Sequence, residues 1–323
     1  MTRSWDLPAR EVTPESAVLS RRRWLKRIGL GAAGLGAAAA GAGLWWWNAG
    51  GDDNVLNAGK VTTPADLFPA VRNARFFEVD RPLTNEAAAA RYCNFYEFSS
   101  TKQVWRWVAP FQPVPWVLEV GGLVAKPRTF DIDDILKTFA PSLEERVYRH
   151  RCVEAWAMAV PWTGVPLAAL LRRVEPLPGA RFVRFISFDR PDQASRQADA
   201  AYPWPYTEGL TLAEAGNELA FLAVGMYGHP LLKQHGAPVR LVVPWKYGFK
   251  SAKSIQRIEL TAERPATFWN TLGPNEYDFT ANVNPAVPHP RWSQATEHML
   301  GTGEVRSTQP YNGYGEWVAG LYA

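Results

Sequence analysis

Cys152 is one of only two cysteines in 323 residues, and the stretch around it, Tyr148 to Trp156 (YRHRCVEAW), is the part of the chain best equipped for chemistry. A thiolate is both a soft metal ligand and a nucleophile, and positive charge from Arg149, His150 and Arg151 would lower its pKa. A strand over residues 147–154 would put His150 and Glu154 on the face of Cys152 and both arginines on the other. The same cysteine also suits a small buried hydrophobe, so this stretch alone leaves both readings open.

A second stretch, WKYGFKSAK, offers Lys246, Lys250 and Lys253 beside Gly248, Ser251 and Ala252, where backbone N–H groups can approach an anion. Arg240 on the preceding apolar run adds a planar fork suited to phosphate. The loop is too short for a dinucleotide fold, and no GxGxxG, Walker loop or serine nucleophile elbow occurs. The five histidines lack metal-ligand spacing.

Composition narrows the class. The formal charge is +4, and residues 1–27 hold seven Lys or Arg against three acids, so the remainder is electroneutral. Nucleic acid is therefore not an expected partner. Ser20 to Lys26 (SRRRWLK) matches the twin-arginine export pattern. The twenty uncharged residues that follow, thirteen of them Gly or Ala, read as the weakly apolar core of a signal rather than a membrane span. That route exports folded proteins, which points to a cofactor inserted before export.

The elements that must position these residues are short. Helices are predicted over 85–91, 131–139 (Ile132, Ile135, Leu136 and Phe139 on one stripe, Asp131 as cap) and after Pro166, with Leu167, Leu170, Leu171 and Val174 buried. Thr211 and Glu214 have capping-box spacing. Strands are predicted over 116–123, 147–154, 181–189, 219–227, 238–244 and 254–261, a polar loop over 189–206, and a largely irregular region from Pro265. The pattern is α+β, a strand-dominated mixed single domain over 85–323, preceded by an export signal (1–49) and a linker segment (50–84).

The segments YCNFYEF, ERVYRHRCVEAWAMAVPWTGVPL, GAPVRLVVPWKYGFKSAKSI and NVNPAVPHPRWSQATE are similar to the catalytic subunits of periplasmic protein-methionine-sulfoxide reductases, molybdopterin enzymes of the sulfite-oxidase fold. The resemblance implies a molybdenum-molybdopterin cofactor, one metal per chain, with Cys152 as metal ligand; Glu154, expected on the cysteine's face, is a candidate proton handler beside it, a solvated acid being the other reading. The resemblance also implies that Tyr96 and Glu97 contact the cofactor and that Arg240, Ser251, Ala252 and Lys253 clamp its phosphate. Three positions differ from the family pattern: Cys93 and His235 stand where it has Asn, and Ser187 where it has Thr. The resemblance further implies a periplasmic enzyme acting on oxidised periplasmic proteins, in a heterodimer with a membrane haem-binding subunit fed by the quinone pool. The alternatives are a sulfite-oxidase-like oxidoreductase and a non-enzymatic exported binding protein with a Cys93–Cys152 disulfide.

Overall fold

The computed structural model describes residues 51–61 and 67–323. The twin-arginine stretch and the boundary expected at residue 49 lie outside the described residues. Residues 52–323 form one α+β unit in which strands dominate. In chain order the strands are β1 (Val71–Arg72), β2 (Val117–Gly122), β3 (Arg128–Asp131), β4 (Glu144–Arg151), β5 (Trp156–Pro166), β6 (Phe182–Ser187), β7 (Thr207–Thr211), β8 (Phe221–Met226), β9 (His229–Pro230), β10 (Arg240–Val242), β11 (Ile255–Thr261), β12 (Thr296–Met299) and β13 (Val305–Ser307). One sheet runs β1-β4-β5-β12-β13, with β8 also on β5 and bearing β9 and β10; the other runs β3-β2-β11-β6-β7.

β5 is the axis of the first sheet. It pairs antiparallel with β4 from Gly164 opposite Glu144 to Ala157 opposite Arg151, forming the hairpin that carries the cysteine at its tip. Its far half pairs with β8, and its first residues pair in parallel with β12. Every residue from Trp156 to Val165 is buried, as expected of a strand covered on both faces. Sequence patterning does not reveal this strand, because a continuously apolar run has no alternation and Pro161 inside it argues against a central strand. At Gly164, beside a bulge in the β5–β8 pairing, a Cβ would stand 2.2 Å from the Leu222 carbonyl oxygen, so no other residue fits there.

Four of the seven short α-helices among the described residues form where capping and amphipathic spacing predict, and the last two lie in the region from Pro265 that was expected to be irregular. In order the seven are α1 (Asp52–Ala58), α2 (Glu86–Arg91), α3 (Ile132–Phe139), α4 (Leu167–Val174), α5 (Leu212–Gly216), α6 (Phe268–Leu272) and α7 (Gly315–Val318). Asn85 caps α2, and Asp131 caps α3 by accepting from the Asp134 N–H. The predicted apolar stripes of α3 and α4 are buried. α1 lies in the stretch read as a linker and packs Val55 against Ala90 and Leu232. The Phe95, Phe98, Phe111, Trp116 and Phe188 rings interlock and seat the loop before β2 on the second sheet.

The Thr211–Glu214 capping box is present in both directions at the start of α5. Thr211→Ala is expected to cost about 1 kcal/mol of stability, read as a lower urea midpoint with an unchanged slope. An unmoved midpoint would show that Glu214, which Lys246 and Tyr322 also hold, fixes this helix without its cap.

Candidate active site

β4 ends at Arg151, so Cys152 stands at the start of the β4–β5 turn and not within the strand expected over 147–154. The turn is closed by the Cys152 N–H donating to the Trp156 carbonyl at 2.9 Å and the Ala155 N–H to the Cys152 carbonyl at 3.0 Å. Ala155 at its apex takes φ 65°, a left-handed conformation costly for a residue with a Cβ. Glu154 therefore reaches the side of Cys152 through the turn, not by strand alternation. Three side chains hold the turn from behind. The Arg151 guanidinium donates to the Cys152 carbonyl, while Trp292 Nε1 and Gln294 Nε2 each donate to the Val153 carbonyl at 2.7 Å.

Around the sulfur the partners are specific. Asn94 Nδ2 lies 3.5 Å and the Glu154 N–H 3.4 Å from Cys152 Sγ, both as donors. The Glu154 carboxylate accepts from Asn94 at 3.0 Å, from Trp156 Nε1 at 3.2 Å and from Lys102. Burial opposes its charge, yet Lys102 and these hydrogen bonds hold the carboxyl below the ordinary glutamate value. Burial and the Glu154 carboxylate push the Cys152 thiol up to about 12.

Of the flanking basic residues only Arg151 still lowers the thiol, and burial and Glu154 outweigh it. Arg149 Nε donates to Asp80 at 2.9 Å, and Arg151 is a fully buried partner of Glu297, with 3.2 Å between Nε and the carboxylate. Burial, followed by Arg240 and Lys253, lowers His150 to about 3 and leaves it neutral. His150 instead meets the loop after β10, where a Cβ on Gly248 would come within 2.5 Å of His150 Nε2. That loop is likewise less exposed than expected. Lys246 donates to Glu214 at 2.5 Å, and Lys250 forms a completely buried ion pair with Glu208 at 2.6 Å. Of its three lysines, only Lys253 lines the pocket above Cys152.

That pocket, with about 860 Å³ of empty space that includes its solvent-open mouth, gathers most of the residues singled out from the sequence: Cys93, Tyr96, Glu97, Cys152, Glu154, His235, Arg240 and Lys253. Ser187, Ser251 and Ala252 are buried behind its wall. Ser187 Oγ donates to the Lys253 carbonyl at 2.7 Å, the Ser251 carbonyl accepts from Arg240 Nη2 at 3.4 Å, and the Ala252 carbonyl accepts from the Leu241 N–H at 2.9 Å. They fix the backbone and the Arg240 fork rather than face the cavity. Cys93 and Cys152 are both free thiols, which removes the disulfide-linked alternative. The Cys93 thiol donates to the Ala89 carbonyl at 3.4 Å, and burial pushes it up to about 12.

The donor set suits an anionic group joined to a soft metal. Arg240 is buried, and its hydrogen bonds end on backbone carbonyls, with no carboxylate in ion-pair reach among the described residues. Burial lowers it to about 10, and burial with Arg240 lowers Lys253 to about 8. Both ring nitrogens of His235 are buried without a partner, the Ala89 backbone approaching outside bonding geometry. Glu97 acts on Lys253 as a buried counter-charge, but Arg240 and His235 left so are costly unless an anion completes them. Among the described residues no cluster of three His, Cys, Asp or Glu could cage an ion, so a metal at Cys152 would need its other ligands from a cofactor.

Comparison with known proteins points to the same class of cofactor. Residues 106–269 match the family described as the oxidoreductase molybdopterin binding domain. Protein-methionine-sulfoxide reductase catalytic subunit MsrP of Burkholderia mallei is 45% identical, over 98% of this chain and 93% of that protein. The MsrP of Ralstonia nicotianae is 44% identical over 98% and 94% respectively. The chain belongs to the MsrP family. The strand-dominated α+β unit is thus a molybdopterin-binding oxidoreductase domain. A solved structure, the sulfane dehydrogenase SoxCD of Paracoccus pantotrophus, covers 47% of this chain and is itself covered to 40%, at 21% identity and a TM-score of 0.40.

Sequence reasoning did not single out Lys102, Asn94 or Trp156 as partners of Glu154, nor Trp269 and Tyr277 in the pocket wall. Asn94 lies inside the YCNFYEF motif and was within reach of that signal. Lys102 and Tyr277 arrive from distant loops, where nothing local marks them.

Proposed function

We propose that this chain reduces methionine sulfoxide residues in oxidised periplasmic proteins, using a molybdenum-molybdopterin group with one metal per chain. The observation that carries the reading is the convergence, in one pocket, of the Cys152 sulfur with Lys253, the Arg240 guanidinium, which meets only backbone carbonyls, and His235, whose ring nitrogens have no partner among the described residues. When bound, the group supplies the two-electron chemistry that takes oxygen from a sulfoxide, with two protons and two electrons giving thioether and water.

The chain's own share is placement and proton handling. Cys152 supplies the protein's ligand, with Asn94 and the Glu154 N–H as donors to its sulfur. Arg240 and Lys253 take the cofactor's phosphate, with Ser251, Ala252 and Ser187 bracing them from behind. His235 offers a ring N–H, Cys93 a weak thiol donor, and Tyr96 and Glu97 line the same wall. Around the pocket Tyr96, Trp269 and Tyr277 stack edge to face or tilted at 4.9 and 5.0 Å and can hold a thioether against aromatic surface.

Glu154, held charged by Lys102, is placed to relay protons as water forms. Glu154→Gln is expected to lower kcat about 100-fold while the molybdenum content of the purified protein stays at the wild-type level. An unchanged kcat would assign Glu154 to structure alone. The relatives' designation as catalytic subunits supports a second subunit, which we take to be a membrane haem-binding electron donor drawing on the quinone pool. The SRRRWLK leader supports export to the periplasm in folded form, and no helix among the described residues is long and apolar enough to cross a membrane.

The test is elemental analysis of the exported protein together with turnover of an oxidised protein under a chemical reductant. About one molybdenum per chain and restored methionine are expected. A protein from a molybdate-replete host that carries no molybdenum would overturn the reading.

A further inference from the structure

A second cavity, with about 1200 Å³ of empty space, lies beside the first and shares three lining residues with it: Val153, Phe249 and Tyr277. Val153 directly follows Cys152 in the hairpin turn, so this groove runs up to the reacting end of the pocket. We propose that the groove binds the extended polypeptide segment flanking the oxidised methionine, and so makes the enzyme prefer sulfoxide within a chain to the free amino acid. The inference rests on the sulfoxide-reductase reading above and adds where and how the rest of the substrate is held.

Its chemistry fits a backbone more than any particular side chain. The walls contain Pro274, Pro288, Pro290 and Pro310, which have no N–H to compete and hold their own backbone stiffly. Between them, Asn275 and the amide NH₂ of Asn284 carry no protein partner among the described residues, while Asn284 Oδ1 accepts from the Ala286 N–H at 3.0 Å. Such amides pair with peptide groups whatever the sequence. Val287, 60% exposed, provides apolar contact on the same rim. Of the two acids in its wall, Glu276 is paired with Arg291 at 2.7 Å, and Asp278, which accepts the Thr280 N–H at 3.2 Å, is the one left without an ion-pair partner among the described residues, so the groove carries a single free carboxylate in an otherwise uncharged wall. A repair enzyme that meets many unrelated proteins needs recognition of this kind.

The test uses the cofactor-loaded enzyme with free methionine sulfoxide and with an oxidised peptide of about ten residues, which in extended form reaches roughly 30 Å. The variant is Val287→Asp with Asn275→Ala, both at exposed positions where the fold tolerates change. Wild type is expected to have a kcat/KM at least about tenfold higher for the peptide, a difference of about 1.4 kcal/mol. The double variant should lose that advantage through KM and keep wild-type kinetics on the free amino acid. Equal rates on both substrates in wild type, or an equal loss on both in the variant, would overturn the proposal. So would a defect seen only when electrons come from the membrane subunit and not from a chemical reductant, since the groove would then belong to the donor. Fluorescence anisotropy of the unoxidised peptide reads the groove without catalysis: weaker binding by the variant is expected even if no sulfoxide is turned over, an outcome that would sink the reductase reading alone.

Discussion

Cys152→Ser is expected to abolish sulfoxide reduction and leave the purified protein without molybdenum, while the fold survives. The two effects separate because the residue has two roles. Structurally it is a small side chain, 5% exposed, that accepts N–H groups from Asn94 and Glu154. A serine oxygen accepts the same donors, so the stability change should stay below about 1 kcal/mol. Chemically the exchange replaces a soft sulfur by a hard oxygen at the one protein ligand proposed for the metal. Among the described residues no cluster of His, Cys, Asp or Glu stands ready to substitute. Loss of a mere neighbour of a metal ligand costs about 10–100-fold, so activity below detection distinguishes the ligand from residues like Asn94. Elemental analysis, sulfoxide turnover and a urea titration measured on one preparation decide it. A serine variant that keeps its molybdenum and its activity would remove Cys152 from the centre of the site.

Glu297→Ala is expected to be the most destabilising single change, at about 3–5 kcal/mol and roughly 10 °C in Tm. Its carboxylate joins Arg81 and Arg151 in a group whose side chains are 2%, 0% and 1% exposed for Arg81, Arg151 and Glu297. Without it, Arg81 keeps Asp80 at 2.8 Å, but Arg151 is a buried cation with no carboxylate. Arg151 also donates to the Cys152 carbonyl, to Gln294 Oε1 at 2.9 Å and to Thr308 Oγ1 at 3.2 Å, so the turn under the sulfur shifts with it. Pairing the change with an apolar residue at Arg151 separates the two consequences. Arg151→Met with Glu297→Leu should regain most of the stability, because no charge is left stranded, yet should not regain full activity, because the clamp on the Cys152 carbonyl is gone. Differential scanning calorimetry and kcat on the single and double variants check both. Equal recovery of stability and activity would show that the network does nothing for the site beyond holding the fold.

Much of this architecture was legible from local signals. Asp131, Asn85 and the Thr211–Glu214 pair capped helices where their spacing indicated, and the stripes Ile132 to Phe139 and Leu167 to Val174 were buried as read. These features depend on neighbours three or four residues away, which a sequence displays. β5 escaped because burial on both faces erases the alternation that marks a strand. The lysines of WKYGFKSAK misled for a related reason: Glu208 and Glu214, which neutralise Lys250 and Lys246, are more than thirty residues earlier in the chain. Likewise the arginines beside Cys152 looked like its electrostatic partners, yet Asp80 pairs with Arg149 and Glu297 with Arg151, which keeps only a minor lowering effect on the thiol. A charge's effect depends on what faces it after folding, and adjacency in sequence does not reveal that.

The turn that bears Cys152 is buttressed by Trp292, Gln294 and Glu297, some 140 positions downstream. During synthesis, residues 144–166 can leave the ribosome and pair as a hairpin long before those buttresses exist. Contacts of such long separation form late, so the nascent protein holds its cysteine in an unfinished turn until nearly the whole chain has emerged. The cradle for the cofactor is then complete only once residues 292–297 have joined the fold, and a chain cut short before residue 292 would present the cysteine on a turn without its buttresses.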